Sequence, residues 1–423
     1  MNGTAVHGTP GRRVVITGIG VIAPNGIGWP EIWESSKAGG SSVTRIDRFD
    51  TSSYTCHVAG QVERFRAGDY IDRNIVKQTD RSTHMALACC RMATEDAGLD
   101  LGAEDPEQVG MYFANIFGGM EFAERELYAQ HWIGPDRVSA YQAIAWFFAA
   151  TQGQWSIWKG LKGFGKSIVA DRAGGHQALL LGALAIRQGH ARVIYAGGFE
   201  APLAPYVFRI HESSRLLSRA VGDPGGVYRP FDAGRSGLVL AEGSGVMILE
   251  DEEHALARGA TIYAELAGGA MTCDARHGTP TDETHLSRCL AAAVRECGLR
   301  PDAIDHVLAE GIAVREHDAR EAAAIARVFD PARTSVSVPK ARIGHALAAA
   351  GAIDGIWAAL MLAHGRLLPA VNLDHPDPAT AIDLQPREAA PPRAILCCGS
   401  GYGGVNTAFV LRRFERQAPH VDH

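Results

Sequence analysis

The stretch that most constrains this chain is residues 167–182, Ser-Ile-Val-Ala-Asp-Arg-Ala-Gly-Gly-His-Gln-Ala-Leu-Leu-Leu-Gly. It predicts a strand, a tight turn and an apolar helix opening near Gly174. A strand-to-helix turn presents one side chain at a helix N-terminus, where free N–H groups and the helix dipole favour an anion. Enzymes set a nucleophilic Cys or Ser there, because the site lowers a thiol's pKa and can stabilise an oxyanion. The apex here is Arg172, between Asp171 and Ala173. A guanidinium has no lone pair to attack with. The turn has the form of a nucleophile site and lacks the nucleophile.

Around it the pattern alternates between β and α. Strands are predicted at 14–20, 109–113 and 192–198, and helices at 79–98 and 252–258. A second run begins at Ala260, with helices at 284–297, 318–328 and 346–363 and strands at 305–309, 335–338 and 394–398. The reading is an α/β fold of two similar halves, 13–250 and 260–414, with mostly parallel, doubly covered sheets. The polar ends, 1–12 and 415–423, are expected to fray. Gly18-Ile19-Gly20 follows a strand, but Ala23 breaks the dinucleotide pattern, so a plain strand-to-turn connection is expected. Met120, Ala123 and Leu127 fall at i, i+3 and i+7, on one face of a helix, which is either core or the lining of an apolar channel. His176 and Gln177 are read as satisfied polar residues near an interface. Ser167 and Ser400 sit near glycine turns, without the His/Asp order of a serine hydrolase.

Composition limits the function. A formal net charge of −6 argues against general nucleic-acid binding and gives no polybasic membrane signal. No apolar run of membrane-spanning length and no signal peptide are read, so a cytoplasmic protein is expected. The eight cysteines show no C-x-x-C pairs, and reduced thiols without a metal site are expected.

Several motifs resemble, in order, the landmarks of β-ketoacyl-acyl-carrier-protein synthases: Ile16–Gly20, Tyr228-Arg229-Pro230-Phe231-Asp232, Glu242-Gly243-Ser244-Gly245, Pro339-Lys340 with Gly344-His345, and Gly401–Asn406. That resemblance implies the thiolase-like fold, two α/β halves in a five-layered αβαβα arrangement, and a Cys-His-His triad. In this chain Arg172 takes the place of the Cys, and Glu310 that of the first His. Only Lys340 and His345 match. A Claisen-type condensation needs a thiol to hold the chain, so condensing activity is expected to be absent and these positions vestigial. Within the family the block 118–154 is similar to the chain-length factor, or ketosynthase β subunit, of bacterial type II polyketide synthases. Arg172 departs from that subfamily's usual Gln, and His345 from its usual Arg.

The resemblance implies an obligate heterodimer with a ketosynthase α subunit, served by an acyl carrier protein bearing malonyl or growing polyketide, with no cofactor. It makes Met120, Ala123 and Leu127 the gate of a shared tunnel, and their sizes suggest a roomy one. Aromatic polyketide products are expected. A reducing, polyene-type system is one alternative, and a malonyl-carrier-protein decarboxylase that primes the assembly line is another. Arg172 and Glu310 are expected to form a buried, bidentate ion pair, with Asp171 as a competing partner.

Overall fold

The computed structural model describes residues 12–276, 281–387 and 390–416; nearly all of the two polar ends therefore lies outside the described residues. Eleven strands build its main sheet among the described residues, ten of them in one continuous order and the two-residue Gly26–Ile27 paired beside the end of the first. The first five are β1 (Val14–Ala23), β2 (Val109–Ala114), β3 (Gly165–Ile168), β4 (Val193–Glu200) and β5 (Gly243–Asp251). The second five are β6 (Ala264–Cys273), β7 (His306–Leu308), β8 (Ser335–Ser337), β9 (Ala394–Gly401) and β10 (Val405–Arg412). The spatial order is β8-β7-β9-β10-β6-β1-β5-β4-β2-β3. Each half therefore runs third-second-fourth-fifth-first in its own chain order. The two halves meet where β1 pairs with β6 at Val15↔Glu265 and Ile16↔Ala264.

The expected mostly parallel sheets are in fact mixed. Within each half two pairings are parallel and two antiparallel. Parallel neighbours need a crossover. The last pair of the second half has none: β9 returns as β10 through the turn Tyr402–Gly404.

Five helices fix the layers: α1 (Arg81–Asp96), α2 (Met120–Tyr128), α3 (Gly174–Arg187), α4 (Glu283–Glu296) and α5 (Ala350–His364). Helices α3 and α5 touch each other and strands of both halves, so they form the middle layer. Helix α1 covers the outer side of the first half and α4 that of the second. The layers are thus αβαβα. Position explains composition: α5 is buried from Ala350 to Leu362, because sheets cover it on both sides. The segment Leu347–His364 is long and apolar enough to span a membrane, yet 89% of it is buried between those sheets. The Gly18/Gly20 pair has a packing role. A Cβ on Gly20 would lie 1.9 Å from the Cys89 carbonyl oxygen, so glycine lets α1 rest directly on β1.

Candidate functional site

The turn between β3 and α3 is a 3₁₀ turn, Asp171–Ala173, opened by Asp171 with φ +48°. That left-handed conformation is costly for a residue with a side chain and tends to be kept where surrounding structure enforces it. It aims Arg172 into the protein, where the side chain is only 5% exposed. Opposite stands Glu310, just past β7 and 2% exposed.

Arg172 Nε donates to Glu310 Oε1 at 2.7 Å, and Nη1 donates to Asp171 Oδ2 at 3.0 Å. The expected bidentate pair does not form. Asp171 occupies one prong of the guanidinium, so each carboxylate receives a single bond, and Nη2 has no partner among the described residues. The second Glu310 oxygen accepts from the Ser400 N–H. Burial opposes charge on both partners, but the Asp171 and Glu310 carboxylates hold Arg172 above its usual range, and Arg172 holds Glu310 well below its own. An ionised carboxylate held this firmly is a poor base, and the guanidinium is a poor acid.

The other two positions carried over from the family lie alongside. His345 Nδ1 accepts from the Leu347 N–H at 3.0 Å, so the neutral ring carries its proton on Nε2. That nitrogen lies 3.6 Å from Glu310 Oε1. Burial keeps His345 below the usual histidine range, against the pull of Glu310. Lys340 Nζ donates to the carbonyls of Ala309 and Glu310 at 2.7 and 3.1 Å and lies 2.7 Å from Asp354 Oδ2. It ties the 309–310 segment to α5.

Arg172, Glu310, His345 and Lys340 thus form one buried cluster, and the sequence landmarks brace it. The Tyr228 hydroxyl donates to the Gly311 carbonyl at 2.6 Å, and Ser400 Oγ donates to Asn406 Oδ1 at 2.7 Å.

Two cluster members were not singled out from sequence. Glu321 accepts from the N–H groups of Glu310 and Gly311 at 2.7 and 2.9 Å. It lies in an alanine-rich helical stretch, where nothing local marks a buried acid. Asp354 carried a usable signal, a single acid in an otherwise apolar helix, since buried charge implies a partner. His176 departs from its reading. It is 2% exposed, its ring packs against Gly351 and Gly399, and neither ring nitrogen has a hydrogen-bond partner among the described residues. Ser167 Oγ donates to the Phe148 carbonyl and to Gln152, and no histidine among the described residues bonds to it.

No thiol replaces the missing nucleophile. Burial raises the thiols of Cys397 and Cys398, the two on β9 nearest the cluster, well above the ordinary cysteine value.

Met120, Ala123 and Leu127 lie on α2, far along the chain from the cluster. They share a face but not an environment: Met120 is half-buried, Ala123 is 4% exposed and Leu127 is 45% exposed. The buried residues of α2 are Phe122, Ala123 and Glu126. The triplet therefore lies along the shoulder of the helix, where core gives way to surface. The chain that follows is rich in exposed apolar side chains: Trp132, Ile133, Phe147, Ile157, Phe164 and Val169 are each at least half exposed. Exposed apolar patches mark interaction surfaces.

The N-terminal domain model of β-ketoacyl synthases matches residues 11–255, and the C-terminal domain model matches 263–374. A putative polyketide β-ketoacyl synthase 2 of Streptomyces halstedii is 40% identical over 407 residues, 95% of this chain and 97% of that protein. The tetracenomycin polyketide synthase ketoacyl synthase β subunit of Streptomyces glaucescens is 38% identical over 404 residues, 95% of this chain and 98% of that one. Among solved structures, the ishigamide ketosynthase/chain length factor superposes with a TM-score of 0.89 at 28% identity, covering 96% of this chain and 100% of that one.

Proposed function

This chain belongs to the β-ketoacyl synthase family, as a ketosynthase β subunit (chain-length factor) of type II polyketide synthases, and from that premise we propose that it sets chain length without condensing. The observation that carries this reading is the Arg172–Glu310 pair at the nucleophile turn. A condensing site needs a thiolate to hold the acyl group and a neutral imidazole to stabilise the enolate. Here the two positions neutralise each other.

The work is then steric and shared. A ketosynthase α partner covers the apolar surface around Trp132 and Phe147, and its thiol carries the chain delivered by an acyl carrier protein. The tunnel runs along the shoulder of α2, with Met120, Ala123 and Leu127 as its floor. Extension stops when another unit would force overpacking, at about 1–3 kcal/mol per bad fit. The product class is an unreduced chain destined for aromatic compounds.

The test is co-expression with the ketosynthase α partner, followed by a condensation assay with carrier protein and malonyl donor. The expected result is an inert single chain and a stoichiometric pair that makes long chains. Release of acetyl-carrier protein by the single chain would overturn it in favour of a priming decarboxylase.

A further inference from the structure

The N-terminus of α2 is built unlike that of a self-sufficient helix. Its N-cap is Gly119, which has no side chain to cap with. Nor could it have one: a Cβ there would lie 1.8 Å from the Ala145 carbonyl oxygen. The preceding Gly118 has φ +57° and its own added Cβ would sit 2.5 Å from the Trp146 carbonyl oxygen. The chain thus passes under the 145–148 segment with no space for side chains, and the helix begins without a cap from its own N-cap residue.

The missing cap comes from elsewhere in the chain. Asp80 Oδ2 accepts from the Phe122 N–H at 2.8 Å, the bond that an N-cap side chain makes to the third residue of its own helix. The same carboxylate caps α1, since Asp80 Oδ1 accepts from the Ser82 N–H at 2.8 Å. Asp80 is 3% exposed, so water does not compete for either bond. Ser82 completes the joint, its Oγ donating to the Gly118 carbonyl at 3.0 Å. One carboxylate and the adjoining serine therefore fasten α2 to α1, which itself lies directly on β1. The other hydrogen bonds that α2 side chains make to distant segments, with Glu124 accepting from the Tyr206 N–H and Glu126 from the Ser139 N–H, reach more exposed parts of the chain.

We propose that Asp80 is the positioning residue of the chain-length helix, holding it at the angle that sets the depth of the tunnel. This rests on the reading that α2 is the tunnel floor. Met120 is the first residue of α2, at the joint itself, and Leu127 lies about 10 Å further along the axis. A small tilt at the joint is therefore largest at Leu127. Losing the shared cap leaves Met120, Ala123 and Leu127 chemically unchanged but free to vary in position, and a floor that varies in position stops chains at mixed lengths.

The test uses the reconstituted pair with carrier protein and malonyl donor, reading the ratio of product lengths by mass spectrometry, with size exclusion to show that the pair is intact. Three variants are compared: Asp80→Asn, which can serve only one of the two N–H groups; Ser82→Ala, which keeps the carboxylate and removes the bond to Gly118; and Ala123→Phe in the floor. The expected result is a roughly fivefold fall in the ratio of the main product to its neighbours for Asp80→Asn, the size of a lost cap. Ser82→Ala should give a smaller fall in the same direction. A purely structural role for Asp80 would lower the yield of intact pair and leave the ratio alone. An unchanged ratio in Asp80→Asn with an altered one in Ala123→Phe overturns the inference. An unchanged ratio in Ala123→Phe overturns the tunnel reading instead. If Asp80→Asn does not fold, Ser82→Ala decides, and an unchanged ratio there overturns the inference.

Discussion

The two halves of the molecule carry the same turn and use it differently. In the first half Asp171, at φ +48°, opens the 3₁₀ turn that runs into α3. In the second half Leu347, at φ +49°, opens the turn Leu347–Ala349 that runs into α5. The two turns touch, and a Cβ on Gly175 would lie 2.5 Å from the Ala348 carbonyl oxygen. The strained residue therefore belongs to the repeated architecture, and chemistry is an addition to one copy of it. The first copy points Arg172 at Glu310; the second packs Ala348, fully buried, against Gly174 and Gly175 of its neighbour. The connections differ in the same way. Between its second and third strands the first half holds residues 115–164, with α2 and much of the exposed apolar surface, where the second half holds only 309–334. One half supplies the working surfaces, and the other supplies the bracing.

Exchanging the turns should break this contrast most severely. Ala348→Arg places a charge with no partner where the parent side chain is 0% exposed, and soluble protein should be lost. In the first turn, Arg172→Ala leaves the Glu310 carboxylate buried and short of a partner, and chemical denaturation should show a loss of about 3–5 kcal/mol. Removing both charges in Arg172→Ala/Glu310→Ala should cost less than the two single changes added together. At the apolar surface, Trp132→Ala should weaken the pair by about 2 kcal/mol, read as Kd by titration calorimetry, while the melting temperature of the single chain stays put.

A further contrast concerns a device that both halves share. Glu200 accepts from the N–H groups of Ile116 and Phe117 at 2.9 and 3.3 Å, as Glu321 does from those of Glu310 and Gly311. Burial, against those backbone bonds, lifts Glu200 to about 8; burial with the Glu310 charge lifts Glu321 to about 7. A raised carboxyl holds its proton more tightly folded than unfolded. Its stabilising contribution is complete below the unfolded value of 4.5 and is lost as pH rises through about 8. Glu200→Gln, which cannot ionise, should flatten the fall in melting temperature between about pH 5 and pH 9.

Much of this was legible in the sequence, and the gaps have physical causes. The strand, turn and helix of 167–182 are visible because β-branched residues give way to glycines and then to an apolar run. Its twin at 347 is hidden in His-Ala-Leu-Ala-Ala, residues 345–349, where nothing signals a left-handed residue. The pairing of Arg172 with a carboxylate followed from burial, but its single-pronged form did not. It depends on the φ of Asp171, which sets a second carboxylate beside the same guanidinium. Spacing placed Met120, Ala123 and Leu127 on one face, but not on the shoulder of the buried arc. The second role of Asp80, at the start of α2, was not legible, because a cap shared with a distant segment leaves no local pattern.

The central claim is that this chain measures the product through α2 and performs no condensation through Arg172. The most direct measurement is the product-length distribution of the reconstituted pair carrying Ala123→Phe, scored at equal turnover. The account predicts shorter chains at an unchanged rate of malonyl consumption. An unchanged distribution would contradict it.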